Sequence, residues 1–170
     1  RYPANFSFFT PDDACSIKIE NRQKLINAYD NTITYTDDFL ANVISILENS
    51  KATTALFYSS DHGEDMLDDN RKRFLHSSPS PTYYQLKIPM LMWFSEKYKS
   101  AFPTKVKNAA NNHGVPITTN TIFHTVLDLA SLNTSDFDPQ LSLVNPELKR
   151  QHRMFLNDHD QPIFFYNAGI

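Results

Sequence analysis

Two apolar runs constrain this chain more than anything else in its 170 residues: ATTALFYSS at 52–60 and KIPMLMWFS at 87–95. Both are rich in strand-forming side chains. Neither alternates apolar with polar, as a strand with one wet face does. Near-continuous apolarity predicts strands covered on both faces, which calls for helices packed on a sheet. The helices are legible too. Ile26, Tyr29, Ile33, Thr36, Leu40, Val43 and Leu47 recur at spacings of three and four, predicting an amphipathic helix over residues 22–48 with Asp37, Asp38 and Asn42 on its polar side. At 1.5 Å per residue it would be about 40 Å long, enough to flank a sheet. Residues 118–132 predict a second helix, with Ile122, Val126 and Leu129 on one face and Thr119 or Asn120 as N-cap. Residues 161–169 predict a late strand at an edge, residues 1–20 an extended packed segment, and residues 133–140 a surface loop. The order is helix, strand, loop, strand, helix, strand, so the expected class is α/β.

The first run ends in an unusual way. Residues 58–65 read YSSDHGED, so Asp61, His62 and Glu64 surround Gly63, one of three glycines with Gly114 and Gly169. On a continuing strand, Asp61 and His62 would point to opposite faces. A bend at Gly63, through backbone angles closed to other residues, would let both converge beyond the strand's end, where open α/β sheets bind ligands. A carboxylate oxygen beside a neutral imidazole suits Zn²⁺, with Mn²⁺ the weaker candidate. Two ligands are too few for tight binding, so others must come from elsewhere. A plain strand-ending turn, with Asp61 capping the next segment and His62 exposed, fits the same pattern.

The remaining polar residues say less. His76, in FLHSSPSP, is either a second site residue or a surface histidine. The acidic run Asp65, Asp68 and Asp69 reads as a solvated loop. His113 sits beside a turn, His124 lies in the second helix packed or half exposed, and His152 and His159 have no evident partner. The aromatics of TYYQ at 82–85 read as core packing. A net charge of −3 and the absence of a Lys/Arg stripe argue against a nucleic-acid binder. The longest apolar run, about 88–94, is far short of the roughly 20 residues that span a bilayer. No signal peptide is visible, so any targeting segment is expected upstream of Arg1. Cys15 is the only cysteine, which excludes an intrachain disulfide and a thiolate cluster. There is no phosphate-binding glycine loop and no nucleophile elbow.

Four stretches in order, NAYDNTITYTDDFL (27–40), YSSDHGE (58–64), FLHSSP (74–79) and IPMLMWFS (88–95), resemble the catalytic domain of phosphoethanolamine transferases. These modify lipid A and related envelope glycolipids and belong to the alkaline phosphatase/sulfatase superfamily. The opening RYP with its following FTP resembles the segment just after that family's HGP histidine. The resemblance covers about residues 1–132.

It implies an alkaline phosphatase-like α/β/α sandwich with a mainly parallel sheet, of which this chain is the C-terminal portion. It implies that Asp61 and His62 are ligands of a catalytic zinc. His76 would contact the transferred phosphate or a second zinc, and Glu64 would lie near the substrate. Phosphatidylethanolamine would be the donor and lipid A or a related glycan the acceptor. The reaction would pass through a phosphoethanolamine-threonine intermediate at the periplasmic face of the inner membrane. The nucleophilic threonine, the other zinc ligands and the membrane helices lie upstream in the family. None of Thr10, Thr53 or Thr54 matches the nucleophile's motif, so the isolated chain is expected to be inert and to bind zinc weakly. Cys15 matches a family disulfide position whose partner before NAYDN is absent here. A sulfatase or phosphodiesterase hydrolase, and a non-catalytic binding module, are the alternatives. A sheet edge left open would invite pairing between two copies.

Overall fold

The structure is a computed structural model and describes residues 2–13, 16–76, 81–157 and 159–165. Cys15, Pro79, the end of the late strand and Gly169 lie outside them. In chain order the elements are α1 (Arg22–Asn49), β1 (Ala55–Ser59), β2 (Asp65–Met66), β3 (Phe74–Leu75), α2 (Tyr83–Leu86), β4 (Met90–Phe94), α3 (Glu96–Ala101), α4 (Pro103–Asn111), α5 (Thr121–Leu129), β5 (Met154–Leu156) and β6 (Pro162–Phe164). Two compact units form: residues 1–50 with 60–89, and residues 51–59 with 90–170.

In the first unit, buried Tyr2, Met66 and Leu67 are joined by a set of buried polar side chains. α1 forms where its apolar spacing predicts, and Asp37, Asp38 and Asn42 are exposed as expected. Its fully covered residues, however, are Asn27 and Asn31, while Ile33 is exposed. Asn31 is a hub. Its Oδ1 accepts from the backbone of Phe8 and Phe9, each at 2.9 Å, and its Nδ2 donates to Phe9 O at 3.0 Å and Asp12 Oδ2 at 3.1 Å. Asn27 Nδ2 donates to Pro11 O at 2.9 Å. Residues 2–13 are thereby laid along α1. They are packed as predicted, but broken by a 3-10 turn at Ala4–Phe6. Backbone groups of an irregular segment need partners, and amide side chains supply both donor and acceptor at one point. At the other end of the unit, Arg22 donates to Met66 O and Leu67 O, each at 3.1 Å, and to Asp68 at 3.0 Å, tying β2 to the start of α1.

The second unit has an apolar core. β1 and β4 pair antiparallel, Ala55 with Phe94 through Ser59 with Met90. One face of the pair offers Ala55, Phe57, Met92 and Phe94 to a cluster with Tyr98, Leu129 and Val144. Leu91, on the other face, is exposed, so cover on both faces does not extend to that residue. Ser95 Oγ caps α3 by accepting from Tyr98 N at 3.2 Å, and Pro103 opens α4. Neither α3 nor α4 is legible as an apolar stripe, because the pair is short and broken at Phe102. α5 forms within the predicted range with Asn120 at its N-cap position, but Asn120 makes no side-chain capping bond. Its buried face is Thr121, Thr125 and Leu129, and Val126 is exposed. Thr125 Oγ1 accepts from Leu143 N at 3.0 Å, so this stripe serves hydrogen bonds as well as packing.

The α/β class stands. All three strand pairs among the described residues are antiparallel, so the mainly parallel pairing implied by the resemblance is not displayed by them. Parallel neighbours need a crossover, usually a helix on the sheet face. Residues 60–89 between β1 and β4 instead build part of the first unit, with only the four-residue α2. The late strand is β6, paired with β5.

Candidate metal and phosphate site

The DHGE turn belongs to the first unit, and hydrogen bonds within that unit fix its path. Ser60 Oγ donates to His62 O at 2.7 Å, and Gly63 N donates to Gln85 O at 2.8 Å. Gly63 is required, but for a different reason from the one the sequence suggests. Its φ is not positive, whereas that of Gly114 is. A Cβ at Gly63 would lie 2.0 Å from the carbonyl oxygen of Tyr84. The glycine thus permits close approach of two backbones rather than an unusual bend.

Asp65 anchors the next position. It is only 2% exposed and accepts hydrogen bonds from Thr82 Oγ1 and Gln85 Nε2. The expected solvated loop face is therefore wrong for Asp65. TYYQ is inverted in the same way: Thr82 and Gln85 are buried, and Tyr83 and Tyr84 are exposed. A buried carboxylate must be satisfied by donors, and these two polar side chains are those donors. Asp68 and Asp69 bond Arg22 and Arg71.

The hairpin of β2 and β3 then closes the gap to His76. Asp65 faces Leu75 and Met66 faces Phe74, so the next position in this register sets Glu64 opposite His76. Leu67, Lys72 and Leu75 all have positive φ, a strained set for non-glycine residues clustered beside the site. Glu64 Oε1 and Oε2 lie 2.9 and 3.1 Å from His76 Nδ1. The rings of His62 and His76 sit 3.8 Å apart between centroids. His62, Glu64 and His76 each offer a ligand atom within 4.8 Å of the others.

Asp61 and His62 are not splayed apart. Asp61 Oδ2 is 3.7 Å from His62 Nε2. Two ligands each about 2.0–2.2 Å from one zinc are separated by a similar span, so the pair fits a shared ion without large movement. His62 Nδ1 lies 3.0 Å from the Gly63 carbonyl oxygen, which can only accept. Donation from Nδ1 to that oxygen leaves Nε2, on the side of Asp61, as the nitrogen for a metal. Asp61 is largely exposed, and the His62 backbone N–H, its own amide and the neighbouring imidazole hold its carboxyl below the usual carboxylate range. It is thus ready to bind a cation at neutral pH.

The other histidines stay apart from this cluster in role. His124 Nδ1 accepts from Asp138 N at 3.1 Å, a structural bond. His113 is exposed beside the Gly114 turn, and His152 and His159 are exposed. The bond between Glu64 and His76 was not foreseen, since only the hairpin register reveals it.

The chain is similar in sequence and fold to known proteins. Phosphoethanolamine transferase EptA of Helicobacter pylori is 36% identical over 130 residues, covering 75% of this chain and 23% of that protein. Phosphoethanolamine transferase EptC of Escherichia coli is 30% identical over 162 residues, covering 94% of this chain and 28% of that protein. The crystal structure of the C-terminal periplasmic domain of the Escherichia coli EptC superimposes with a TM-score of 0.83 at 28% identity, over 98% of this chain and 48% of that one. A second structure of that domain, in complex with zinc, gives a TM-score of 0.82. The chain therefore spans about a quarter of the length of the curated relatives it matches. The fold likeness and the sequence match to EptC both run past residue 132, and the fold likeness bears out the alkaline phosphatase-like class. The Sulfatase family model matches residues 1–132, and the chain belongs to that family.

Proposed function

We propose that the protein carrying this chain is a zinc-dependent phosphoethanolamine transferase. It takes the group from phosphatidylethanolamine and passes it to lipid A or a related envelope glycan at the periplasmic face of the inner membrane. The observation that carries this reading is the cluster of His62, Glu64 and His76 on one turn and one hairpin, with Asp61 beside His62. The names of the relatives support the transferred group, and the zinc complex of the EptC domain supports the metal.

Asp61 and His62 Nε2 would hold the zinc. When bound, zinc lowers the pKa of a coordinated hydroxyl and offsets charge on phosphoryl oxygens. Glu64 accepts from His76 Nδ1–H, which fixes that ring's tautomer and leaves Nε2 for a substrate phosphate or the departing alcohol oxygen. The nucleophilic threonine is assigned to the protein outside these 170 residues. With half a metal site, the isolated chain would be inert. Neither β1 nor β4 has a second partner among the described residues, and pairing of two copies through that edge is a secondary proposal, tested by light scattering.

Transfer from labelled phosphatidylethanolamine by the full-length protein is the test. Asp61→Ala and His62→Ala should each lower it about 100-fold or more. Calorimetry on the 170-residue chain should show weak zinc binding that disappears in both variants. Tight binding that survives both substitutions would rule the site out. Release of phosphoethanolamine to water, with no acceptor labelled, would favour the hydrolase reading. No turnover in the intact protein would favour a binding module.

A further inference from the structure

The short helix α2 fastens the chain on both sides of Glu64. On one side, Gly63 N donates to Gln85 O at 2.8 Å. On the other, one carboxylate oxygen of Asp65 accepts from Thr82 Oγ1 and the second accepts from Gln85 Nε2. Thr82 Oγ1 also accepts from Gln85 N at 3.3 Å, so a single hydroxyl starts the helix and grips Asp65. Asp65, Thr82 and Gln85 are all buried, and water hardly competes for these bonds. Every one of these groups lies within the first unit.

The adjacent carboxylates have opposite partners. Asp65 turns to α2, whereas Glu64 turns to the histidines, with Oε1 2.9 Å from His76 Nδ1 and 3.8 Å from His62 Nδ1. The His76 side chain is 45% exposed, so packing leaves its ring room to turn. Among the described residues its carboxylate partner is Glu64, and the aim of the ring follows the aim of that carboxylate. Pinning the chain at 63 and 65 limits how far Glu64 can wander. Gln85 thus makes two separable attachments. Its backbone carbonyl holds Gly63, beside His62 and the metal side of the site. Its side chain holds Asp65, beside Glu64 and the phosphate side.

We propose that Thr82 and Gln85 are positioning residues for phosphoethanolamine transfer. Through Asp65, their side chains hold Glu64 on His76, and they touch neither zinc nor substrate. The proposal rests on the transferase reading and adds to it two residues outside the ligand set that govern turnover. A shift of about 1 Å at a reacting group can cost about 100-fold in rate, so a buried bond two residues removed from the chemistry has leverage. The separation of the two Gln85 attachments gives the proposal its signature: loss of the side-chain bond lowers turnover and leaves the metal in place.

Initial rates of the full-length protein on labelled phosphatidylethanolamine, with zinc content measured on the same samples, are the test. Gln85→Met keeps the backbone carbonyl and the side-chain length but removes the donor. Thr82→Val keeps the shape and removes the hydroxyl, and Thr82→Ser retains the hydroxyl. Gln85→Met and Thr82→Val should each lower kcat per bound zinc about 10- to 100-fold with KM within about threefold, and Thr82→Ser should stay within about threefold of the parent. In a Glu64→Ala background, Gln85→Met should cost no more than about twofold further, because the group it acts through is gone. An undiminished loss in that background would overturn the proposal. So would an unchanged kcat in both Gln85→Met and Thr82→Val, or zinc lost in step with kcat, which marks a merely structural role. Where the parent transfers and Asp61→Ala abolishes transfer, these outcomes sink the positioning role alone. A parent that transfers nothing sinks the transferase reading and this proposal with it.

Discussion

The two units solve burial in different ways. The unit built on β1 and β4 gathers Phe94, Tyr98, Leu129 and Val144 into an apolar core, with buried Ser95, Asn108, Thr121, Thr125 and Ser142 around it. The unit that carries the DHGE turn buries Asn27, Asn31, Asp65, Thr82 and Gln85. The first kind of burial is tolerant, because apolar contacts are non-directional and can be repacked. The second kind is directional. Each buried amide or carboxylate has to meet its partners or lose its hydration without return. The site proposed for Asp61, His62, Glu64 and His76 gains from the directional kind, which locks one geometry.

Substitutions can break this contrast, beginning with the largest effect. Gly63→Ala drives a methyl group into the Tyr84 carbonyl, so the turn or α2 must move. Urea unfolding should show a loss of about 3 kcal/mol or more. Hydrogen exchange at the residue-63 amide, which bonds Gln85 O, should quicken with it. A loss under about 1 kcal/mol would mean that the close approach does not matter.

The next test compares two swaps of nearly constant volume. Asp65→Asn puts an NH₂ group among the donors Thr82 and Gln85 and should cost about 2 kcal/mol. Leu129→Met should cost under about 1.5 kcal/mol. Equal costs would erase the distinction between the units.

pH sharpens the comparison from the apolar side. Burial, and then the charge of Asp128, push the Tyr98 hydroxyl up to about 12 from 10.0. The folded state therefore favours protonated Tyr98. Its contribution is complete below about pH 10 and is lost as pH rises towards 12. Alkaline titration of stability should show that fall, and Tyr98→Phe should flatten it while losing the bond to Leu129 O, worth about 1 kcal/mol.

The smallest stability effect belongs to the residue with the largest proposed chemical one. Asp61 is exposed, so Asp61→Ala should leave unfolding within about 0.5 kcal/mol of the parent while zinc binding is lost. A large destabilisation would make Asp61 a structural residue.

Much of the fold is legible in the chain. The long α1 stripe, the two apolar runs and α5 fall close to where periodicity puts them, because burying an apolar face dictates spacing. The misses share a cause. Asn31, Asp65, Thr82 and Gln85 are polar, so by composition they belong on the surface. Their burial depends on partners 17 to 29 residues away, which no local pattern shows. α3 and α4 are short and separated only by Phe102, although Ser95 and Pro103 carry their start signals.

By itself, the sequence determined the local pieces: which segments coil, which extend, and that an acid and an imidazole sit side by side after a strand. Those follow from side-chain chemistry at neighbouring positions. Only the tertiary structure decided that Glu64 meets His76 and that Gly63 is needed for backbone approach. It also decided that Asp65 is a buried anchor rather than a solvated charge. Each of these depends on register between β2 and β3 or on contact with α2, and a register is a property of two segments together rather than of either one.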